Sequence, residues 1–109
     1  MNKKRVVVTG LGVISPIGST IDEFWNSLLE GRSGVKRVNC FDPSNFSSQI
    51  AAEVKNFDPA SFLSHKEVRK TDRFVQFAIA ASKKAIDDSG LDVEKSDRDR
   101  IGVLIGSGI

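Results

Sequence analysis

Residues 5–14 read RVVVTGLGVI, with β-branched and other apolar side chains at odd and even positions alike. A strand with one wet face alternates polar and apolar residues. A run apolar on both parities predicts a strand buried on both faces, as in sheets with helices packed on each side. Ser15-Pro16-Ile17-Gly18 stops that strand as a turn. Residues 101–105, IGVLI, repeat the pattern and predict a second buried strand, followed by Gly106-Ser107-Gly108-Ile109.

Two helices are legible between these runs. Thr20 and Glu23 have the spacing of a capping box. Ile21, Phe24, Trp25, Leu28 and Leu29 then fall on one face, and Gly31 is placed to end the helix in a left-handed turn. The longest helix is predicted over Asp72–Ser89. Phe74, Phe77, Ala78, Ala81 and Ala85 mark one face and Val75, Ile79 and Ile86 another, so it is expected to lie buried between layers, with Gly90 ending it. Residues 49–55 partly alternate, with Ile50, Ala52 and Val54 on one side, and predict a half-exposed strand in a hairpin or flap. Phe41-Asp42-Pro43-Ser44-Asn45-Phe46 and Phe57-Asp58-Pro59-Ala60-Ser61-Phe62 are similar local turns, too short to be a repeat architecture. Two doubly apolar strands with only two good helices predict an α/β layered fold that is incomplete over 1–109, the front part of a larger domain.

Composition narrows the function. The 109 residues carry 16 Lys and Arg against 14 Asp and Glu, a net charge of +2. So small an excess argues against a general nucleic-acid binder, which needs a basic face over most of the domain. The basic start and following apolar run superficially resemble a secretion signal, but Thr9, Gly10 and Gly12 interrupt a run already short, and no cleavage site follows. No run has the length of a membrane span. With the single cysteine Cys40 unable to form an internal disulfide, a cytoplasmic location is expected and no membrane partner.

The candidate motifs are few. TGLGVISPIGS has the glycines of a phosphate loop, but Ser15 stands where the dinucleotide fingerprint needs its third glycine and Pro16 delays the helix to about Thr20; a structural turn is expected. Lys66, Arg69, Lys70 and Arg73 fall at i, i+3, i+4 and i+7, so one side of a helical turn would carry four cations. That side is either a solvated helix start, partly offset by Glu67 and Asp72, or a face that docks an acidic partner; the residues alone favour the first. Cys40, beside Phe41, reads as a half-buried structural thiol rather than as half of a pair with His65. One histidine and one cysteine with no clustered carboxylates leave no metal site in prospect, and no catalytic constellation is complete.

Four blocks together carry a resemblance: RVVVTGLGVISPIGS, SHKEVRKTDRF, AIDDSGL and IGVLIGSGI. In that order they resemble the β-ketoacyl-acyl-carrier-protein synthases, most closely the elongating condensing enzymes of bacterial type II fatty-acid synthesis. The resemblance implies the N-terminal part of a thiolase-like αβαβα fold, in chains several times longer that pair as homodimers. It implies acyl transfer followed by decarboxylative Claisen condensation, with acyl- and malonyl-loaded acyl carrier protein as partner and no cofactor. The family's nucleophilic cysteine and two histidines occur beyond the position matching Ile109, so no catalytic residue is expected here and the isolated chain is expected to be inactive. Lys66, Arg69 and Lys70 match the family's carrier-docking patch, which reverses the reading of that cluster. Ile109 matches a residue lining the acyl pocket near the dimer interface. The alternative is a non-catalytic module that keeps only the docking patch.

Overall fold

The chain is organised around helix α3, Arg73–Ser89, whose 17 residues make it the longest element of a computed structural model describing residues 2–108. Before it come helix α1 (Ile21–Leu29), strand β1 (Val35–Arg37), strand β2 (Ile50–Ala52), a 3₁₀ turn (Pro59–Ser61) and the single-turn helix α2 (His65–Val68); a second 3₁₀ turn, Arg98–Arg100, follows. Both long helices start and stop where the sequence indicates. Thr20 caps α1 through the Glu23 amide while the Glu23 carboxylate takes the Thr20 amide, completing the capping box. Gly31 and Gly90 both have φ of 65°, the left-handed conformation that ends a helix without a Cβ penalty.

The glycine-rich segment is seated on α3. A Cβ on Gly10 would lie 2.3 Å from the Ala85 carbonyl oxygen, and one on Gly12 would lie 2.1 Å from that of Ala81. Two residues of chain thus advance about as far as one helical turn, in the opposite direction along the helix. The Leu11 amide between them donates to Asp88 Oδ2 at 2.8 Å. Ser15-Pro16-Ile17-Gly18 closes as expected, with Ser15 N donating to Gly18 O at 3.1 Å. The Lys84 ammonium then donates to Ser19 O, tying the start of α1 to α3. The glycines serve close packing, and the structural turn stands.

Strands β1 and β2 form one antiparallel pair in the register Val35↔Ala52, Lys36↔Ala51, Arg37↔Ile50. The hairpin expected around residues 49–55 is therefore present, but its strand covers only Ile50–Ala52, with Ile50 and Ala52 exposed and Ala51 the more covered. Its partner Val35–Arg37 is a strand that the pattern does not mark. The two Phe-Asp-Pro segments are alike in three dimensions. In each, aspartate Oδ1 accepts an amide two residues on, and the flanking rings meet, at 5.5 Å for Phe41–Phe46 and 6.0 Å for Phe57–Phe62.

Three expectations are corrected. Neither residues 5–14 nor residues 101–105 form a strand: the bridge in the first region is the turn's own Ser15–Gly18 pair, and Val6 and Leu104 are 94% and 97% exposed. A strand exists only through its neighbours, and no described segment lies in register beside either run. Helix α3 is not buried all round. Ala80 is fully buried and Gln76 nearly so, but Phe74 and Ile86 are exposed. The apolar face of α1 is uncovered too, with Trp25 58% exposed. The buried apolar side chains Val38, Leu63 and Ala80 are few. The radius of gyration is 17.4 Å, against about 13 Å for a compact domain of this length. The accessible surface is 9222 Å², where a compact chain of this mass exposes about 6,000 Å².

Gly12→Ala forces backbone against backbone and is expected to cost about 1–3 kcal/mol, while Gly31→Ala meets no atom and costs about 1 kcal/mol of left-handed strain. Denaturation with amide hydrogen exchange separates them: only Gly12→Ala should release the Leu11 amide.

Candidate functional site

The basic segment is built from its cap outward. Ser64 and Glu67 form a second capping box, with Ser64 N donating to Glu67 Oε2 at 2.8 Å and Ser64 Oγ accepting from Glu67 N at 3.3 Å. The Ser64 hydroxyl also donates to the same carboxylate oxygen at 2.7 Å. These bonds, led by that hydroxyl, hold the Glu67 carboxyl below its ordinary value. The helix they start is a single turn. Arg69 caps it, and the Lys70 amide donates to Glu67 O at 3.0 Å.

This arrangement decides the electrostatics. Glu67, the one anion within residues 66–70, is folded back onto the amides at the start of α2, so its charge serves the cap. Lys66, Arg69 and Lys70 are exposed and make no ion pair among the described residues. The offset of their charge expected from a solvated helix start is absent as direct pairing.

The four-cation face is corrected to three. Because α2 ends at Val68, Arg73 belongs to a different helix and turns away from the segment. Its guanidinium donates to Val54 O at 2.9 Å and lies over the rings of Phe57 and Phe77, 5.7 and 5.0 Å from their centroids. The rings themselves meet edge to face at 5.0 Å. Planar, weakly hydrated and always charged, arginine suits that slot.

Gln76 is the residue that pattern reading missed. Its side-chain amide, 8% exposed, donates to Val68 O at 3.2 Å and to Thr71 O at 3.0 Å. A polar residue within an apolar helix was the available signal, because a buried amide needs partners.

Cys40 is exposed, which corrects its expected half-burial: Phe41 packs on Phe46 instead of covering it. The Glu53 carboxylate accepts the Cys40 and Asn39 amides at 3.2 Å. A side-chain hydrogen bond to Glu53, with some desolvation, pushes the thiol pKa up and makes it a poorer nucleophile. His65 opens α2 and shares no hydrogen bond with Cys40 among the described residues, so no thiol–imidazole pair forms. Ile109, matched to the acyl pocket, lies outside the described residues. Among those described, no group of three or more His, Cys, Asp or Glu side chains is gathered to hold a metal ion, and no helix is long and apolar enough to cross a membrane.

Comparison with known proteins fixes the class. The backbone matches that of the ishigamide ketosynthase/chain length factor with a TM-score of 0.73 at 39% identity, over 81% of this chain and 22% of that one. It also matches a β-ketoacyl synthase from Burkholderia phymatum STM815 with a TM-score of 0.70 at 33% identity, over 89% of this chain and 24% of that one. The fold is thus that of the opening part of the thiolase-like ketosynthases. In sequence, the chain is 54% identical to 3-oxoacyl-[acyl-carrier-protein] synthase 2 of Coxiella burnetii and 49% identical to the protein of that name from Synechocystis, over all 109 residues in both cases. It spans 26% of the length of each of these curated relatives. Residues 3–109 match the family described as "Beta-ketoacyl synthase, N-terminal domain", and the chain belongs to that family.

Two titrations probe the site. Glu67 should titrate below its ordinary value of 4.5. Because its folded pKa is lowered, its contribution to α2 is fully present above that value and is lost as pH falls through the lowered one. Carboxyl-resolved NMR should show this, with Ser64→Ala returning Glu67 toward 4.5. For Cys40, Glu53→Gln removes the charge opposing the thiolate, so alkylation at mildly alkaline pH should run several-fold faster. An unchanged rate would show that Glu53 does not control the thiol.

Proposed function

We propose that residues 1–109 are the first portion of the N-terminal half of a 3-oxoacyl-[acyl-carrier-protein] synthase, with no complete second domain among them. In this reading the parent protein is an acyltransferase of fatty-acid biosynthesis that works in the cytoplasm as a homodimer. The observation that carries it is the display of Lys66, Arg69 and Lys70 without ion pairs among the described residues, on a chain matched along its whole length by proteins of that name. The apolar surface left uncovered on α1, residues 6–8 and residues 103–105 supports the same reading, because that excess suits an element packed inside a larger layered domain.

The chemistry then divides between this portion and the rest of the synthase. In the family an acyl group passes from its carrier thioester to a cysteine thiolate. Malonyl-carrier loses carbon dioxide, and the resulting carbanion attacks the cysteine thioester, which expels the thiolate and leaves a chain longer by two carbons on the carrier. Neither Cys40, whose thiolate Glu53 opposes, nor His65, exposed at the start of α2, is suited to those steps. This portion supplies the scaffold and a docking surface. Three unpaired cations on a pinned turn attract an acidic carrier at a distance and orient it on arrival.

Charge reversal tests it. In the full-length synthase, Lys66→Glu with Arg69→Glu should weaken binding of acyl carrier protein by about tenfold or more at low salt, with the difference shrinking as salt screens the surface. Unchanged affinity at low ionic strength would overturn the docking role.

A further inference from the structure

We infer that Gln76, braced by Arg73, is a positioning residue that sets the geometry in which Lys66, Arg69 and Lys70 meet the carrier; the inference rests on the docking reading above. A single helical turn has no stability of its own, since a helix nucleus costs more than its one hydrogen bond returns. Something else must hold α2: one set of contacts ties it to α3, and a second holds α3 in place.

The first lies at its C-terminal end, where helix carbonyls lose their partners. Gln76, one turn into α3, sends its buried amide to Val68 O and Thr71 O at 3.2 and 3.0 Å. The Thr71 hydroxyl lies 3.5 Å from the same nitrogen and donates to Glu67 O at 2.7 Å. The carbonyls of residues 67, 68 and 71 therefore all end in one network on α3. Arg69 and Lys70 sit between two of those pinned carbonyls, so the amide of Gln76 fixes the backbone from which both cations project.

The second set holds α3 itself. Arg73 bonds Val54 O just past β2 and lies over Phe57 and Phe77. It joins the start of α3 to the hairpin and to the Phe57 turn, the platform from which α2 departs. Its charge lies near the docking cations in sequence, but its fork and planar face are already engaged. Charge alone steers an acidic partner from a distance. Register at contact depends on where the cations stand, which is what these two residues hold.

The test uses the full-length synthase with two substrates, an acyl-carrier thioester and an acyl-pantetheine thioester lacking the carrier. Gln76→Met keeps length and bulk but removes the donor. It should raise KM for the carrier thioester about three- to tenfold, leaving kcat and the pantetheine kinetics unchanged. The amides of residues 69–71 should exchange faster in the same variant. Arg73→Lys keeps the charge but loses the planar stack, and should move the carrier KM in the same direction; a docking cation would tolerate lysine. Should Gln76→Met fail to fold, Arg73→Lys and Thr71→Val carry the same readout. Faster exchange at 69–71 with an unchanged carrier KM would overturn the inference, as would equal losses with both substrates. Lys66→Glu with Arg69→Glu, measured alongside, separates the two failures. If that variant raises the carrier KM and Gln76→Met does not, only the positioning role falls; if it leaves the carrier KM unchanged, the docking reading falls first.

Discussion

The close approach of residues 10–12 to helix α3 exists because two positions carry no side chain. Gly10 and Gly12 lie against the carbonyls of Ala85 and Ala81, where any Cβ would overlap the helix backbone. Helix α3 is also the element through which the other parts meet. Lys84 reaches Ser19 at the start of α1, Arg73 reaches Val54 beyond the hairpin, Lys83 reaches Phe62, and Gln76 reaches the turn after α2. Arg73, Phe77, Ala81 and Ala85 are successive i+4 positions, so they form one stripe. Its first half holds the aromatic platform under the hairpin and its second half receives the glycine segment. Moving α3 would therefore move the glycine segment and the aromatic platform together.

Local signals were the legible part of the sequence, for a physical reason. A capping box, a left-handed glycine and an aspartate-proline turn each involve groups within a few residues, so spacing already states the geometry. Thr20 with Glu23, Gly31, Gly90 and the two Phe-Asp-Pro segments all behave accordingly. Ser64 and Glu67 carried the same signal, unmarked beneath the cations that overlie it. Ladders and burial are different, because each depends on a remote partner. Residues 5–14 and 101–105 have the composition of buried strands, yet composition reports what a segment can bury and not what lies beside it. The same limit applies to Cys40, exposed because Phe41 found Phe46 rather than the thiol.

In the basic segment, spacing identified the cations but not their employment. Helical periodicity grouped Arg73 with Lys66, Arg69 and Lys70 on the assumption of one continuous helix. The backbone breaks between Val68 and Arg73, and that break sorts the four residues into three displayed charges and one internal brace. Likewise Glu67 would count against the patch in any tally of charge, but its carboxylate is committed to Ser64 and the helix start. Fully exposed ion pairs contribute little to stability in any case. Leaving the cations unpaired therefore costs the fold little and leaves their field directed outward.

In the docking reading, a carrier pulling on Lys66, Arg69 or Lys70 would pull on a turn with almost no internal stability, so the load would pass to whatever the turn is tied to. Those ties run through Gln76 into the buried stretch around Ala80, and from there to the stripe that seats Gly10 and Gly12. The basic segment is consequently tied to the same helix that seats Gly10 and Gly12, next in sequence to the exposed apolar run at residues 6–8. In a thiolase-like domain where that run is covered, the patch and the buried layers would share one rigid support. If the segment docks a carrier as proposed, rigidity at that point would favour a single bound orientation, because little conformational entropy would remain to be lost on binding.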